Sequence, residues 1–370
     1  MSKIKSSNDA ILALDLGTSS VKAVLARRGK ENIEILGSGK AEQFSGSMHA
    51  GAITDIPTVT SVCEQAIGAA EKIAGVRAKK TVVGISGEFV KGKTSTIHYR
   101  RNPEKPISEA EISLLLKKVQ DKAKEAARVE IAVETMNPEA DVRLINSSIV
   151  SVKIDGNEVN NPIGFRGSDL ILKFYTAFAP LTQISAIEKV CAELSLDLIS
   201  IAVEPFAICR AFLEEKTDFS GILIDVGSGT TDIAIVKKGG IEGTRTLAMG
   251  LDSLSKDFSV WVDGLEISLD ELSNDSSLPT NIILSGGGSK NSSLSEALAL
   301  SDWYKNLNFV RRPLINLLEP KNIPGFSYDT ESFELNEYYV TSLGLLKVAS
   351  DILTAEPTKL SEKLSRLLQK

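Results

Sequence analysis

Two segments of this 370-residue chain carry the residue types of phosphate and metal chemistry. Asp15-Leu16-Gly17-Thr18-Ser19-Ser20 ends the apolar run Ala10–Leu14, and Lys22 follows shortly after. Asp225-Val226-Gly227-Ser228-Gly229-Thr230-Thr231-Asp232 ends the apolar run Ile222–Ile224. Glycine, serine and threonine at a hairpin tip offer backbone N–H groups and hydroxyls to phosphate oxygens. An aspartate at the end of the preceding strand can hold Mg²⁺ through water, and Lys22 can reach a phosphate. The same residues fill ordinary turns, so one such tip says little. Here there are two, and a third apolar run, Asn281–Leu284, ends in Gly286-Gly287-Gly288. A glycine triplet lets a flat base approach the backbone. Asp15 and Asp225 stand 210 positions apart, so the chain looks duplicated at the level of its halves.

These residues need strands and helices to hold them. Val21–Ala26 returns from the first tip and Ile233–Lys237 from the second, making two β-hairpins, with Ile33–Gly37 as a further strand. Ile56–Ala74 has helical spacing, and Thr81–Ile85 is a short buried strand. Ser108 and Glu111 form a capping box that opens a helix to about Arg128. Short strands are expected at Glu130–Glu134, Leu144–Ile154 and Asp169–Ala179, with a turn at Asp155-Gly156-Asn157. One helix beside short strands predicts an inserted α+β module. Ser185–Leu196 is a helix, Leu198–Val203 a strand ending at Glu204-Pro205, and Phe206–Glu215 a helix. Val260–Leu272 is expected as a short strand and turn, and Tyr338–Leu353 as an apolar helix that Pro357 breaks. The fold class is α/β, and the length predicts two or three domains.

Lys and Arg number 42 against 48 Asp and Glu, so the net charge of −6 argues against a nucleic-acid partner. Cys63, Cys191 and Cys209 are far apart, without a CxxC pair and with neither His49 nor His98 nearby. They are expected as small buried residues in a reducing cytoplasm, not as zinc ligands or disulfides. Ala10–Leu14 is too short for a signal peptide core, and no stretch approaches the roughly 18 apolar residues of a spanning helix. A cytosolic protein with at most peripheral membrane contact is expected.

Near the C-terminus, Leu360, Leu364, Leu367 and Leu368 share one helical face. Lys359, Lys363, Arg366 and Lys370 are basic and Glu362 alone is acidic. A basic amphipathic helix reads as a membrane-surface element, although a terminal helix docked on the body shows the same pattern.

The whole set resembles the actin/sugar-kinase/Hsp70 ATPase superfamily over almost the entire chain. Leu14–Lys22 resembles its first phosphate loop, Ile224–Asp232 its second and Ile283–Ser289 its adenosine loop. Ala202–Ala207 resembles its first connecting helix and Thr341–Leu346, with Gly344, its second. Within the superfamily the chain is most similar to the FtsA family of bacterial cell-division proteins. Its insert lies between Gly84 and about Pro180, where that family carries the 1C (SHS2) subdomain. Asp155–Gly164, Gly250–Phe258 and the amphipathic tail also resemble FtsA segments. The related PilM family shares the insert and is the alternative.

The resemblance implies an actin-like duplicated ATPase fold: 8–83 as half 1, 84–180 as the 1C-like insert, 181–353 as half 2, and 354–370 as linker and membrane-targeting helix. It implies that Asp15, Gly17, Thr18, Ser19, Ser20 and Lys22 contact Mg²⁺ and the phosphates of ATP. Asp225, Gly227, Gly229, Thr230 and Thr231 would do the same from the other half, with Asp15 and Asp225 as the metal-facing carboxylates. Gly286, Gly287 and Gly288 would flank adenine. Glu204 falls where related ATPases orient metal-bound water, and is also where a helix dipole stabilises a carboxylate. Leu360, Lys363, Leu364, Arg366, Leu367 and Leu368 would contact anionic membrane. Only Ser259–Thr280 stands where the superfamily places subdomain 2B, so 2B is reduced. The implied function is an ATP-binding division protein that self-assembles, through an insert outside the nucleotide site. It would tether the FtsZ ring to the cytoplasmic membrane and recruit later division proteins. The alternatives are a PilM-like pilus-assembly scaffold and a sugar-kinase-type phosphotransferase. No residue stands out as a general base, so ATP turnover is expected to be slow at best.

Overall fold

The computed structural model describes residues 5–213, 218–253, 258–273, 276–300, 302–329, 333 and 335–354. The chain opens with an antiparallel hairpin, β1 (Ala10–Leu16) and β2 (Ser20–Arg28), continued by β3 (Ile33–Glu42). Helix α1 (Ile56–Ala74) starts at Asp55, whose side chain accepts from Thr58 N, and stops at Gly75. It buries Val59, Val62, Ala66 and Ala70 beneath this sheet, which β4 (Lys80–Ile85) joins parallel to β1. Next come β5 (Lys91–Arg100), α2 (Glu109–Glu134), β6 (Val142–Ile154) and β7 (Asp169–Pro180), then α3 (Leu181–Glu193) and β8 (Asp197–Val203). Helix α4 (Glu204–Phe212) carries the chain to a second hairpin, β9 (Gly221–Val226) and β10 (Thr231–Lys237), continued by β11 (Gly240–Leu247). After α5 (Ser259–Ser273), β12 (Asn281–Ser285), α6 (Ser292–Leu300) and β13 (Leu314–Leu317), helix α7 (Val340–Thr354) ends the described chain.

The first sheet runs β8-β4-β1-β2-β3 and ends on the two-residue strand Phe326–Ser327. The second runs β6-β7-β5-β11-β10-β9-β12-β13, with Asn157–Glu158 beside β6. Strands β5, β6 and β7, inside the stretch expected as an insert, are therefore hydrogen-bonded into the sheet of the second half, through Gly92↔Thr244 and Lys93↔Gly243. Helix α7 packs on the first sheet, α4 on β9 and β10, and the two helices pack on each other. The largest apolar core fills this space between the sheets. A second lies under α5 and α6, and a third under α2.

The two connecting helices cross where α7 carries Gly344. A Cβ there would stand 2.6 Å from the carbonyl carbon of Ala207 and 2.7 Å from its oxygen, and backbone cannot yield as a side chain can. Gly344→Val is expected to push α4 and α7 apart and lower the melting temperature by roughly 5–10 °C, read by circular dichroism. An unchanged melt would show that the crossing tolerates a side chain.

Several local expectations are corrected. Glu130–Glu134 is not a strand but the last turn of α2, because Ala127 and Ile131 pack against Val142 and Phe178 on one helical face. Val260–Leu272 is not a strand and turn but lies within α5, which buries Trp261, Leu265 and Leu269 at helical spacing. The stretch expected to stand for a reduced 2B thus holds, over Ser259–Ser273, one helix lying on the second sheet. Ser108 does accept from Glu111 N at 3.2 Å, but the Glu111 carboxylate turns to Arg101 instead of completing the capping box. Strands β5 and β11 were not expected, and α4 begins two residues before Phe206, at Glu204. The three cysteines are free and buried, with their thiols pushed up to about 12 by burial.

Candidate functional site

The two hairpins meet tip to tip. Thr18 Oγ1 accepts from Gly51 N at 3.3 Å, and a Cβ on Gly229 would lie 2.7 Å from that same Thr18 oxygen. The tips can approach this closely only because residue 229 has no side chain. Behind them, the hairpin registers set matching pairs of charged residues. Asp15 stands opposite Lys22 in the first hairpin, and Asp225 opposite Asp232 in the second. Lys22 Nζ lies 3.2 Å from Asp15 Oδ2. Glu204, the first residue of α4, completes the group: its carboxylate and those of Asp225 and Asp232 have oxygens within 4.8 Å of one another.

Four buried carboxylates thus gather around the partly buried Lys22. Burial and then the neighbouring charges of Asp15, Asp232 and Asp225 push Glu204 well above the usual carboxylate range, against the pull of Lys22. Burial likewise raises Asp225, against a 2.6 Å hydrogen bond from Ser285 Oγ. It carries Asp232 to about 7, against a hydrogen bond from Thr246 Oγ1. Burial opposes the charge of Lys22, but Asp15, Glu204 and Asp225 outweigh it and hold the amine protonated. The cluster is short of positive charge. Its donors are all hard oxygens, the set that suits Mg²⁺, and the glycine-bearing tips beside it suit phosphate.

An acid raised in the folded state stabilises the fold most below its unfolded value and loses that contribution as pH rises through the folded one. Asp232 therefore works against the fold progressively between roughly pH 4, the unfolded carboxylate value, and about 7. Bound Mg²⁺ should offset this. At ten times its dissociation constant Mg²⁺ adds about 1.4 kcal/mol. The rise in melting temperature with Mg²⁺ is expected to be larger at pH 8 than at pH 5, and equal rises would contradict a shared cation site.

Of the residues singled out in the sequence, Asp15, Lys22, Glu204 and Asp225 come together in this cluster. Gly17 lies over Lys22, with its Cβ position 2.8 Å from Nζ. Ser20 and Thr230 are buried at the tips, Ser19 is exposed, and Gly227 N bonds to Thr230 O across the second turn. Thr231 does not offer its hydroxyl to the cleft: it donates to Met249 O and accepts from Trp261 Nε1. Gly286 has φ +80 and backs onto Val226 and Asp225. Gly287 is covered by the Tyr338 ring, which would lie 2.3 Å from a Cβ there, and Gly288 backs onto Val226. Lys40 Nζ stands 5.0 Å from the centre of that ring. The sequence reading missed Asp232, Ser285, Thr341 and Tyr338. The signal for Asp232 was present, since it follows Asp225 by the interval that separates Lys22 from Asp15. The tail residues Leu360, Lys363, Leu364, Arg366, Leu367 and Leu368 lie outside the described residues, as does part of Gly250–Phe258. Among the described residues, no helix is long and apolar enough to cross a membrane.

No protein-family model matches the chain. It is similar to cell division protein FtsA of Neisseria meningitidis serogroup B, 27% identical over 255 residues that cover 67% of this chain and 57% of that one. FtsA of Pseudomonas aeruginosa is 27% identical over 259 residues, covering 69% and 58%. FtsA of Bacillus subtilis (strain 168) is 24% identical over 267 residues, covering 71% and 56%. The chain thus matches somewhat more than half the length of these relatives. Among solved structures, the PilM–PilN type IV pilus biogenesis complex superposes with a TM-score of 0.63 at 16% identity, covering 92% of this chain and 98% of that one. The sequence is thus similar to FtsA proteins at 24–27% identity, and the chain shares the fold of the PilM–PilN structure.

Proposed function

We propose that this chain is an actin-like, ATP-binding cell-division protein that self-assembles and tethers the FtsZ ring to the cytoplasmic membrane. The observation that carries its nucleotide chemistry is the set of four buried carboxylates around Lys22 beneath two touching glycine tips. Asp15, Asp225, Asp232 and Glu204 would hold Mg²⁺, directly or through water. The cation would neutralise phosphate charge and so bring ATP to an acidic cleft. Lys22 would add a fixed positive charge from the first hairpin. Glu204 and Asp232, raised by burial, would give up protons as the cation arrives, so metal binding should release protons to buffer. The similarity to FtsA supports the division role. Residues 8–83 and 181–353 would be the two halves, and 84–180 a module for self-association or division partners. The segment 354–370 would carry the helix that meets anionic lipid.

A PilM-like assembly scaffold is the second reading, favoured by the 98% coverage of the PilM–PilN structure's chain. Nucleotide binding is common to both. A fluorescent ATP analogue titrated with and without Mg²⁺ tests it: binding that requires Mg²⁺ is expected, and binding indifferent to the metal would remove the cluster from the account. The two readings then part on partner. Recruitment of FtsZ supports the first, and capture of a short peptide from an inner-membrane protein supports the second.

A further inference from the structure

The stretch 84–180 reaches the acidic cleft through two buried contacts that its expected role as a separate partner module does not require. Both land on the turn of chain that carries Glu204. Asn146 sits at a β-bulge in β6, where the register against β7 slips between Leu144 and Asn146. The bulge aims its side chain at the end of β8, and Asn146 Oδ1 accepts from Val203 N at 2.7 Å. Val203 is the N-cap of α4, and Glu204 is the next residue. On the other side of Glu204, the ring of Tyr175 in β7 stacks on Phe206, with centroids 5.6 Å apart and planes 6° from parallel. The Tyr175 ring is itself fixed, fully buried and joined through its hydroxyl to Thr244 Oγ1 at 2.8 Å.

Glu204 needs such bracing. Its N-cap, Val203, has no side-chain hydrogen bond to offer the first turn of α4. Its carboxylate must nonetheless be held within 4.8 Å of those of Asp225 and Asp232. A metal-facing group is useful only when its backbone holds it near the working geometry.

We infer that Asn146 and Tyr175 are positioning residues for Glu204, so that the 84–180 module and the nucleotide cleft are coupled through the first turn of α4. This rests on the Mg·ATP reading of the cleft. Coupling of this kind is reciprocal: whatever loosens Asn146 or Tyr175 weakens the metal's hold, and the metal in turn steadies β6 and β7.

The test is a double-mutant cycle on the full-length chain with a fluorescent ATP analogue, titrated with and without Mg²⁺. Wild type is expected to gain affinity from Mg²⁺. Asn146→Ala should reduce that gain about tenfold, the low end of what loss of an outer-shell partner costs. Metal-free binding should stay unchanged. In a Glu204→Gln background Asn146→Ala should change nothing further. Should Asn146→Ala fail to fold, Tyr175→Phe, which keeps the ring and releases Thr244, takes its place in the cycle. Hydrogen exchange of wild type gives a second readout, with slower exchange at Val203 and along Val142–Ile154 when Mg·ATP is added. Additive effects of the Asn146 and Glu204 changes, or an exchange pattern that stops at α4, would overturn the coupling while leaving the nucleotide site intact. Absence of any Mg²⁺-dependent binding in wild type would overturn the nucleotide reading and the coupling with it.

Discussion

Asp225→Ala is expected to weaken Mg·ATP binding about 100-fold, the equivalent of roughly 3 kcal/mol of charged contact. Asp225 lies between both halves of the cleft. Its Oδ1 accepts from Ser285 in β12, and its Oδ2 from Thr341 at 3.4 Å in α7. Removing it takes away a carboxylate proposed to face the metal and frees the two hydroxyls that aim it. The metal-free protein should not suffer in proportion, because Asp225 also repels Glu204 and Asp232 and raises both. The expected result is therefore a near-complete loss of the Mg²⁺-induced rise in melting temperature, with little loss of stability without Mg²⁺. Fluorescence titration of an ATP analogue, with melts alongside, checks both parts. If Asp225→Ala binds Mg·ATP as wild type does, the ligand sits elsewhere.

Leu364→Asp is expected to release the protein from anionic vesicles. Burial of Leu360, Leu364, Leu367 and Leu368 gains about 6–12 kcal/mol gross, at ~1.5–3 each, an upper bound at an interface. Each basic residue adds about 1 kcal/mol near anionic lipid. Ordering the helix costs about 1–2 kcal/mol per residue, which offsets most of this. On the proposed tethering, a single tail would be marginal, and several tails on one assembly would bind together. A charge at the centre of the apolar face takes away one leucine and adds a repelled carboxylate, enough to lose a marginal site. Raising salt should act in the same direction by screening the lysines. Liposome co-sedimentation reads the effect, and a Leu364→Asp variant that pellets like wild type would make the tail a docked terminal helix.

Both hairpins were legible because buried strands with glycine-rich tips announce themselves in apolar runs and turn residues. Asp232 escaped because it reads as the last residue of the second tip, with no role of its own. Only the register Asp225↔Asp232 turns it into the cleft. Strand β5 was illegible for a related reason. Lys91–Arg100 is built almost wholly of polar residues, and its partners on both sides, β7 and β11, are distant in sequence. In α2 the alternation Val129, Ile131, Val133 imitates a strand, yet only Ile131 is buried. In α5 the pair Trp261-Val262 suggests β structure, and the helical interval to Leu265 and Leu269 decides against it. Tyr338 over Gly287 joins residues from separate segments, and no local pattern encodes that meeting.

The tethering role is tested most directly by sedimenting purified FtsZ with anionic vesicles in the presence of the full-length chain and Mg·ATP. FtsZ should pellet with the vesicles when the chain is present, and stay in solution when the chain is omitted or carries Leu364→Asp. FtsZ that remains soluble while the chain itself coats the vesicles would contradict the division role.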